Sequence, residues 1–449
     1  MKRWTCLYAL AVVLLGMSGP TQADEPRTFA AGLTPTRLIR VAPGGDDQTA
    51  DGSVDRPFAT IEAASRTATP GAAIRLAPGE YRGGATLTNL AGTPEAPIWI
   101  GSEPGGLRAV IRGGGSGLHL VRPQFVVVHD LEISGAGGNG LNVDDGGDFA
   151  DADAAHHVAC ERLFIHDIGD DGNQDGLKLS GIRDFQVFDC VIERCGGAGS
   201  GSGIDMVGCH AGLIARCTLR EISGTGVQCK GGTSEVDIRW SHFENAGHRA
   251  LNIGGSTWHE YFRPPLDAGS VNWEARNVRA QRNVIEGSQC AVAFVGATGC
   301  VASGNTIVRP GKWIVRILQE TRSGPKFQFG LCGDNRFERN LIWFERHAVR
   351  SGVEVNIGPD TRAETTIFAG NLWFAGDDPT RSAPSLPARE QGAIIGRDPM
   401  LGDVDAGDFR PRPGSPALHA AAGHVGVGPI GSELDEADET IGAMAGARD

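Results

Sequence analysis

One short pattern returns along this chain, and a repeat of this kind restricts a polypeptide to architectures in which each unit stacks on the next. It reads GLHLV (117–121), GLNVD (140–144), GLKLS (176–180), GIDMV (203–207), GVQCK (226–230), ALNIG (250–254), AVAFV (291–295) and GVEVN (352–356). Apolar residues alternate, so each copy is a short strand with one side-chain set inward and the other outward. A second apolar element follows each copy. Aligned on its next apolar residue, it carries a column of Asp130, Cys160, Cys190, Cys217, Ser241, Asn283, Asn305, Asn340 and Asn371. Parallel coils stack side chains in such ladders, where Asn satisfies buried backbone groups of a turn and Cys fills the same volume.

The pattern predicts an all-β fold, a single-stranded right-handed parallel β-helix solenoid over 70–378. Glycine is abundant, 66 of 449 residues, without a collagen period, which suits many short strands joined by tight turns. Segment 24–69 leads in, and its stretch RPFATIEAASRTAT (56–69) has helical apolar spacing; a short helix there would cap the open N-terminal end of the core. Segment 379–449 reads as a loop-rich covering segment with an acidic tail from residue 433. Residues 1–23 read as an export signal, with Lys2 and Arg3, an apolar stretch at 7–17 and small residues before Asp24. The expectation is a soluble monomer, secreted or periplasmic. Without Lys2 and Arg3 the formal charge moves from −13 to −15, which argues against nucleic acid or an anionic membrane as partner. Buried free thiols are expected for the cysteines, since stacked parallel strands leave little room for disulfide geometry.

The outward positions of the first strand element form two neighbouring columns. One runs His119, Asn142, Lys178, Asp205, Gln228, Asn252, Ala293, Glu354; the other runs Val121, Asp144, Ser180, Val207, Lys230, Gly254, Val295, Asn356. Charged and amide groups thus gather on the middle coils. An insertion, GGSTWHEYFRPPLDAGSVNWEA (254–275), brings Trp258 and Tyr261 to the same face, either to stack on sugar rings or to fold back over the flank; Arg316 and Glu320 border it. Two acidic Gly-rich loops, with Asp144, Asp145 and Asp148 in one and Asp171 and Asp175 in the other, offer hard oxygen ligands that suit calcium.

RPFATIEAASRTATPGAAIRLAPGEY with GTPEAPIWIGSEPG at the start, and DFRPRPGSPALHAA near the end, resemble bacterial exported right-handed parallel β-helix proteins of the pectate-lyase-like superfamily. That group includes lyases, hydrolases, epimerases, esterases and non-catalytic surface proteins, so the resemblance implies the fold more than a reaction. DDxxD at 144–148, and DGLK at 175–178, are similar to the calcium-and-lysine arrangement of family-nine pectate lyases, in reversed order and with Leu118-His119-Leu120 where those enzymes place another aspartate. Segment 227–255 resembles the lysine strand of family-six alginate and chondroitin lyases; Lys230 matches the lysine, while the arginine expected a coil later falls near Ile253 rather than at Arg249.

The leading expectation is a polysaccharide lyase, or related epimerase, acting on an acidic polysaccharide. Removing the proton alpha to a uronate carboxylate needs a base and a cation to neutralise that carboxylate. Lys178 or Lys230 would be the base, with Arg249 as a neutralising cation, and Asp205, Gln228, Asn252, Trp258, Tyr261 and Arg316 would bind substrate. A glycoside hydrolase would instead need paired carboxylates, such as Asp205 with Asp175 or Glu354. A third class is a non-catalytic carbohydrate-binding or surface protein built on the same scaffold.

Overall fold

The computed structural model describes residues 28–169, 172–349 and 353–419; the expected leader, Asp171 and the acidic tail lie outside them. Within the described residues the chain winds right-handedly through three parallel sheets, each strand pairing with the strand one coil later. The sheet that concerns function has ten strands there. They run from Ala85–Thr88 through Leu118–Val121, Leu141–Asp144, Leu177–Ser180, Ser202–Val207, Thr225–Lys230, Arg249–Gly254, Cys290–Val295 and Trp313–Leu318 to Val355–Ile357. We call it the cleft sheet. A second sheet runs from Arg37–Val41 to Ile367–Ala369, and a third from Gly79–Arg82 to Ile394–Ile395.

Alternation decides which residues form the core. Leu118, Leu141, Leu177, Ile204, Val227, Leu251, Val292 and Val315 stack in one inward column and are all fully buried. Between them and the next inward column lie the outward residues, held in register by pairs such as Lys178↔Asp205 and Asp205↔Gln228. The strand Trp313–Leu318 escapes the pattern because its apolar run does not alternate. Its presence corrects the first outward column: Arg316 follows Ala293 and Asn356 follows Arg316, so Glu354 does not belong there.

The turn from the second sheet to the third is made by one residue with left-handed backbone, among them Asp130, Arg162, Asp189, Arg216, Arg282 and Arg339, with φ of 52°, 52°, 52°, 52°, 56° and 53°. The ladder residue comes immediately after. Its upper rungs are as expected: Asn283 Nδ2 donates to Asn305 Oδ1 at 3.0 Å, Asn305 to Asn340 at 2.9 Å, Asn340 to Asn371 at 3.0 Å, and Asn371 to Glu390 Oε1 at 2.7 Å. Two lower assignments are corrected. Asp130 is itself the left-handed residue and Cys160 faces the core from the second sheet, so the register of Phe164 with Glu132 and Val191 places Leu131 and Leu163 on those rungs. Among the described residues, nine cysteines are free and buried.

The expected N-terminal helix exists but is short, Ile61–Ser65 rather than 56–69, with Thr60 accepting from the Ala63 amide at 3.2 Å and Ile61, Ala63 and Ala64 joined to the core. Thr67, Thr69, Pro70 and Gly71 stop it. Beyond 379, Leu401, Phe409 and Ala417 cover Leu372 and Phe374 on the outside of the third sheet. Among the described residues no helix is long and apolar enough to cross a membrane.

Candidate active site

Neighbouring parallel strands are about 4.8 Å apart, so outward side chains on successive coils of the cleft sheet touch. Lys178 and Asp205 occupy the same column one coil apart, and Lys178 Nζ donates to Asp205 Oδ2. Lys178 also lies 3.2 Å from Asp175 Oδ2, at the start of its own coil. Lys230, one coil on and one column over, brings its Nζ to 3.2 Å from Asp205 Oδ2. Two lysines therefore cover two acids, and Asp205 and Asp175 are 0 % and 1 % exposed beneath them.

Burial and mutual charge set the protonation of this group. Burial, then repulsion from Asp205, pushes the Asp175 carboxyl up to about 6. Burial opposes ionisation of Asp205 as well, but Lys178 and Lys230 hold it below its ordinary value. Burial works against a charged Lys178, yet Asp205 and Asp175 outweigh it and raise its pKa above the ordinary lysine value. Lys178 is thus a fixed cation. Lys230 touches a carboxylate whose charge Lys178 already balances.

Above this group lies an open cleft of about 700 Å³ whose walls include Lys178, Gln228, Lys230, Arg249, Asn252 and Tyr261. Arg249 donates to Asn252 Oδ1 at 3.0 Å and to Glu320 Oε1 at 2.6 Å. Arg316, two coils further, donates to Asn356 Oδ1 at 3.0 Å and stacks on Trp313 at 4.3 Å; burial and the charge of Arg249 lower its pKa. The two guanidiniums thus lie close enough to repel each other. The structure therefore brings Lys178, Lys230, Arg249, Asp205, Gln228, Asn252 and Arg316 to one face, as the outward columns implied.

The insertion divides its aromatics between the two expected fates. Phe262 turns inward, 2 % exposed, against Phe329, while Trp258 and Tyr261 remain 74 % and 51 % exposed on the cleft wall. Residues 255–274 form a strap, tied at its far end by Glu274, whose buried carboxylate accepts from the Gly231 and Thr257 amides at 2.8 Å each. Arg263 ties its middle. Neither residue stands out in the sequence, because each finds its partner only through distant coils.

The described carboxylates of the acidic loops do not fit calcium. Asp144 is engaged by His119 at 2.6 Å and Asn142 at 3.1 Å, Asp145 by Arg263 at 2.6 Å, Asp148 by Arg122 at 3.8 Å, and Asp175 by Lys178. Each carboxylate already faces a side-chain donor of its own, and among the described residues no three carboxylate, histidine or cysteine groups converge as a metal would require. The paired carboxylates of a hydrolase are likewise closed off. Asp175 and Asp205 lie under the lysines, and Glu354, 1 % exposed, is held by Arg346 and the Ser385 amide.

Residues 116–307 match the sequence model of the right handed beta helix region. No curated protein matches the chain. Among solved structures it is similar to pectate lyase Pel9A, with 16 % identity, 88 % of this chain and 96 % of that chain covered, and a TM-score of 0.56. It is also similar to the GH136 lacto-N-biosidase from Eubacterium ramulus, with 18 % identity, 80 % and 68 % covered and a TM-score of 0.49, and to the alginate lyase from Paenibacillus sp. str. FPU-7, with 19 % identity, 72 % and 98 % covered and a TM-score of 0.45. At such identities the likeness is one of fold. The chain folds as a right-handed parallel β-helix, similar in fold to pectate lyase Pel9A.

Proposed function

We propose that the protein is a secreted or periplasmic polysaccharide lyase acting on a uronic-acid-containing polymer, with its catalytic centre at Lys178, Lys230 and Arg249. The observation that carries this reading is the arrangement of the charges: Lys178 and Lys230 line the cleft while Asp175 and Asp205, which balance them, lie beneath, and Arg249, paired with Glu320 on the cleft wall, adds a third cation. A cleft with partly buried cations and an exposed Trp258–Tyr261 rim suits a chain of sugars bearing carboxylates. The fold is shared with a pectate lyase, which acts in the same chemical class.

In the reaction, Lys230 accepts the proton alpha to the uronate carboxylate. The electron pair left behind forms a carbon–carbon double bond, the bond from the β-carbon to the departing sugar oxygen breaks, and the ammonium formed at Lys230 returns a proton to that oxygen. Lys178 and Arg249 face the carboxylate and stabilise the charge that develops on it. Between the two lysines, Lys230 is assigned as base because Lys178 is clamped by two carboxylates and Lys230 shares only one.

Incubation with a panel of uronic-acid polymers, following absorbance of the unsaturated product, tests this. Absorbance growth that falls by about 10²–10⁴-fold in Lys230→Ala, the usual contribution of a general base, supports the assignment. No product from any polymer, with retardation of the protein in glycan-containing gels, would leave the binding function in its place.

A further inference from the structure

Arg263 makes a contact for which the cleft chemistry has no use. It lies 118 residues from Asp145 in sequence, yet its Nε donates to Asp145 Oδ2 at 2.6 Å and its Nη2 to Oδ1 at 3.4 Å. Both partners are buried, Arg263 at 9 % and Asp145 at 1 % exposure. The guanidinium stacks on Phe149, 3.9 Å from the ring centroid, and its Nη1 donates to the Tyr261 carbonyl at 2.8 Å. Glycines clear the way for it. A Cβ on Gly181 would lie 2.2 Å from Asp145 Oδ2 and 2.9 Å from Arg263 Cδ, and one on Gly208 would lie 2.3 Å from Arg263 Cβ. One coil later the Arg263 amide donates to the Gly231 carbonyl at 3.1 Å. Three successive coils thus leave a trough through which the arginine reaches back to the acidic loop.

We infer that Arg263 is a built-in cation: it occupies the carboxylate edge that a divalent metal would need at Asp145, and through the same contact it seats the strap so that Trp258 and Tyr261 stand at the rim of the cleft. A guanidinium suits the task because it stays charged and presents two parallel donors to one carboxylate. With both Asp145 oxygens engaged, and Asp144 and Asp148 turned to other donors, assembly of this face is independent of calcium. Only the use of the rim for sugar rests on the lyase reading; the cation role does not.

Thermal unfolding of the full chain, in excess calcium chloride and in chelator, tests the inference without any activity. The wild type is expected to melt at the same temperature in both. Arg263→Gln leaves a buried carboxylate without its partner and should lower the midpoint by on the order of 5 °C, with faster proteolytic cutting inside 255–274, while Arg263→Lys should recover part of the loss. A calcium-linked rise in the wild-type midpoint that disappears in Asp145→Asn would overturn the inference, as would wild-type melting and strap cleavage in Arg263→Gln. If Arg263→Gln does not fold, the wild-type and Asp145→Asn calcium comparison decides the matter alone. None of these readouts depends on turnover, so the lyase reading stands or falls separately.

Discussion

At Asp175, burial and the neighbouring charge of Asp205 produce a carboxyl that titrates near 6 rather than 3.8. A raised folded-state value means that the native protein binds this proton more tightly than the unfolded chain does. Its stabilisation is therefore complete below about pH 4 and lost as pH rises through about 6. The melting temperature of the wild type minus that of Asp175→Asn should fall across that window, and a flat difference would show that the carboxyl is not perturbed. Lys178 behaves as the counterpart. Lys178→Met removes the cation over two buried acids, and breaking such a buried pair costs about 3–5 kcal/mol. Chemical denaturation should show a loss of that size, whereas Lys230→Met, which removes one shared contact with Asp205, should cost much less stability while removing most turnover.

Among the repeating elements, the asparagine ladder makes the strongest local demand. Asn305 Nδ2 donates both to the Ala280 carbonyl at 3.0 Å and to Asn340 Oδ1 at 2.9 Å, and its Oδ1 accepts from the Asn283 amide at 3.0 Å. Asn305→Leu leaves buried backbone groups unpaired at about 1–3 kcal/mol each, so a drop of several kcal/mol in denaturant unfolding is expected. The lower rungs, Leu131 and Leu163, carry no such bonds, and Leu163→Ala should cost only its packing, about 2–5 kcal/mol with no change in neighbouring amide protection. This difference also marks what the sequence could convey. Alternation around Leu177, Ile204 and Val227 is local, and so are the cleft-sheet register and the juxtaposition of Lys178, Asp205 and Lys230 that follows from it. The strand Trp313–Leu318 was hidden because apolar residues fill both its faces around Arg316, and the Asp130 and Cys160 rungs were misplaced because a left-handed corner aspartate and a core-facing cysteine both resemble ladder residues in sequence. Arg263–Asp145 and the Glu274 contacts were out of reach, since they depend on how a strap lies across several coils.

On the scale of the whole molecule, a coil stabilised by its neighbours on either side should keep its interior closed until the stack opens. Burial raises the thiol pKa of Cys160, Cys190 and Cys229 well above the ordinary value and pushes those of Cys209, Cys290 and Cys300 up to about 12. Thiol labelling followed by mass spectrometry should thus leave the nine described cysteines untagged in the native protein at neutral pH and tag all nine in denaturant; native labelling of any of them would mean that coils open locally. On the proposed reading, the long face of the cleft sheet takes an extended polymer whose carboxylates meet Lys178 and Arg249 in the cleft. The most direct test of that claim is the mass of the products released from a uronic-acid polymer in water enriched in heavy oxygen. Elimination at Lys230 predicts oligosaccharides one water lighter than hydrolysis would yield, with no heavy oxygen incorporated; products that carry heavy oxygen at their new reducing ends would contradict it.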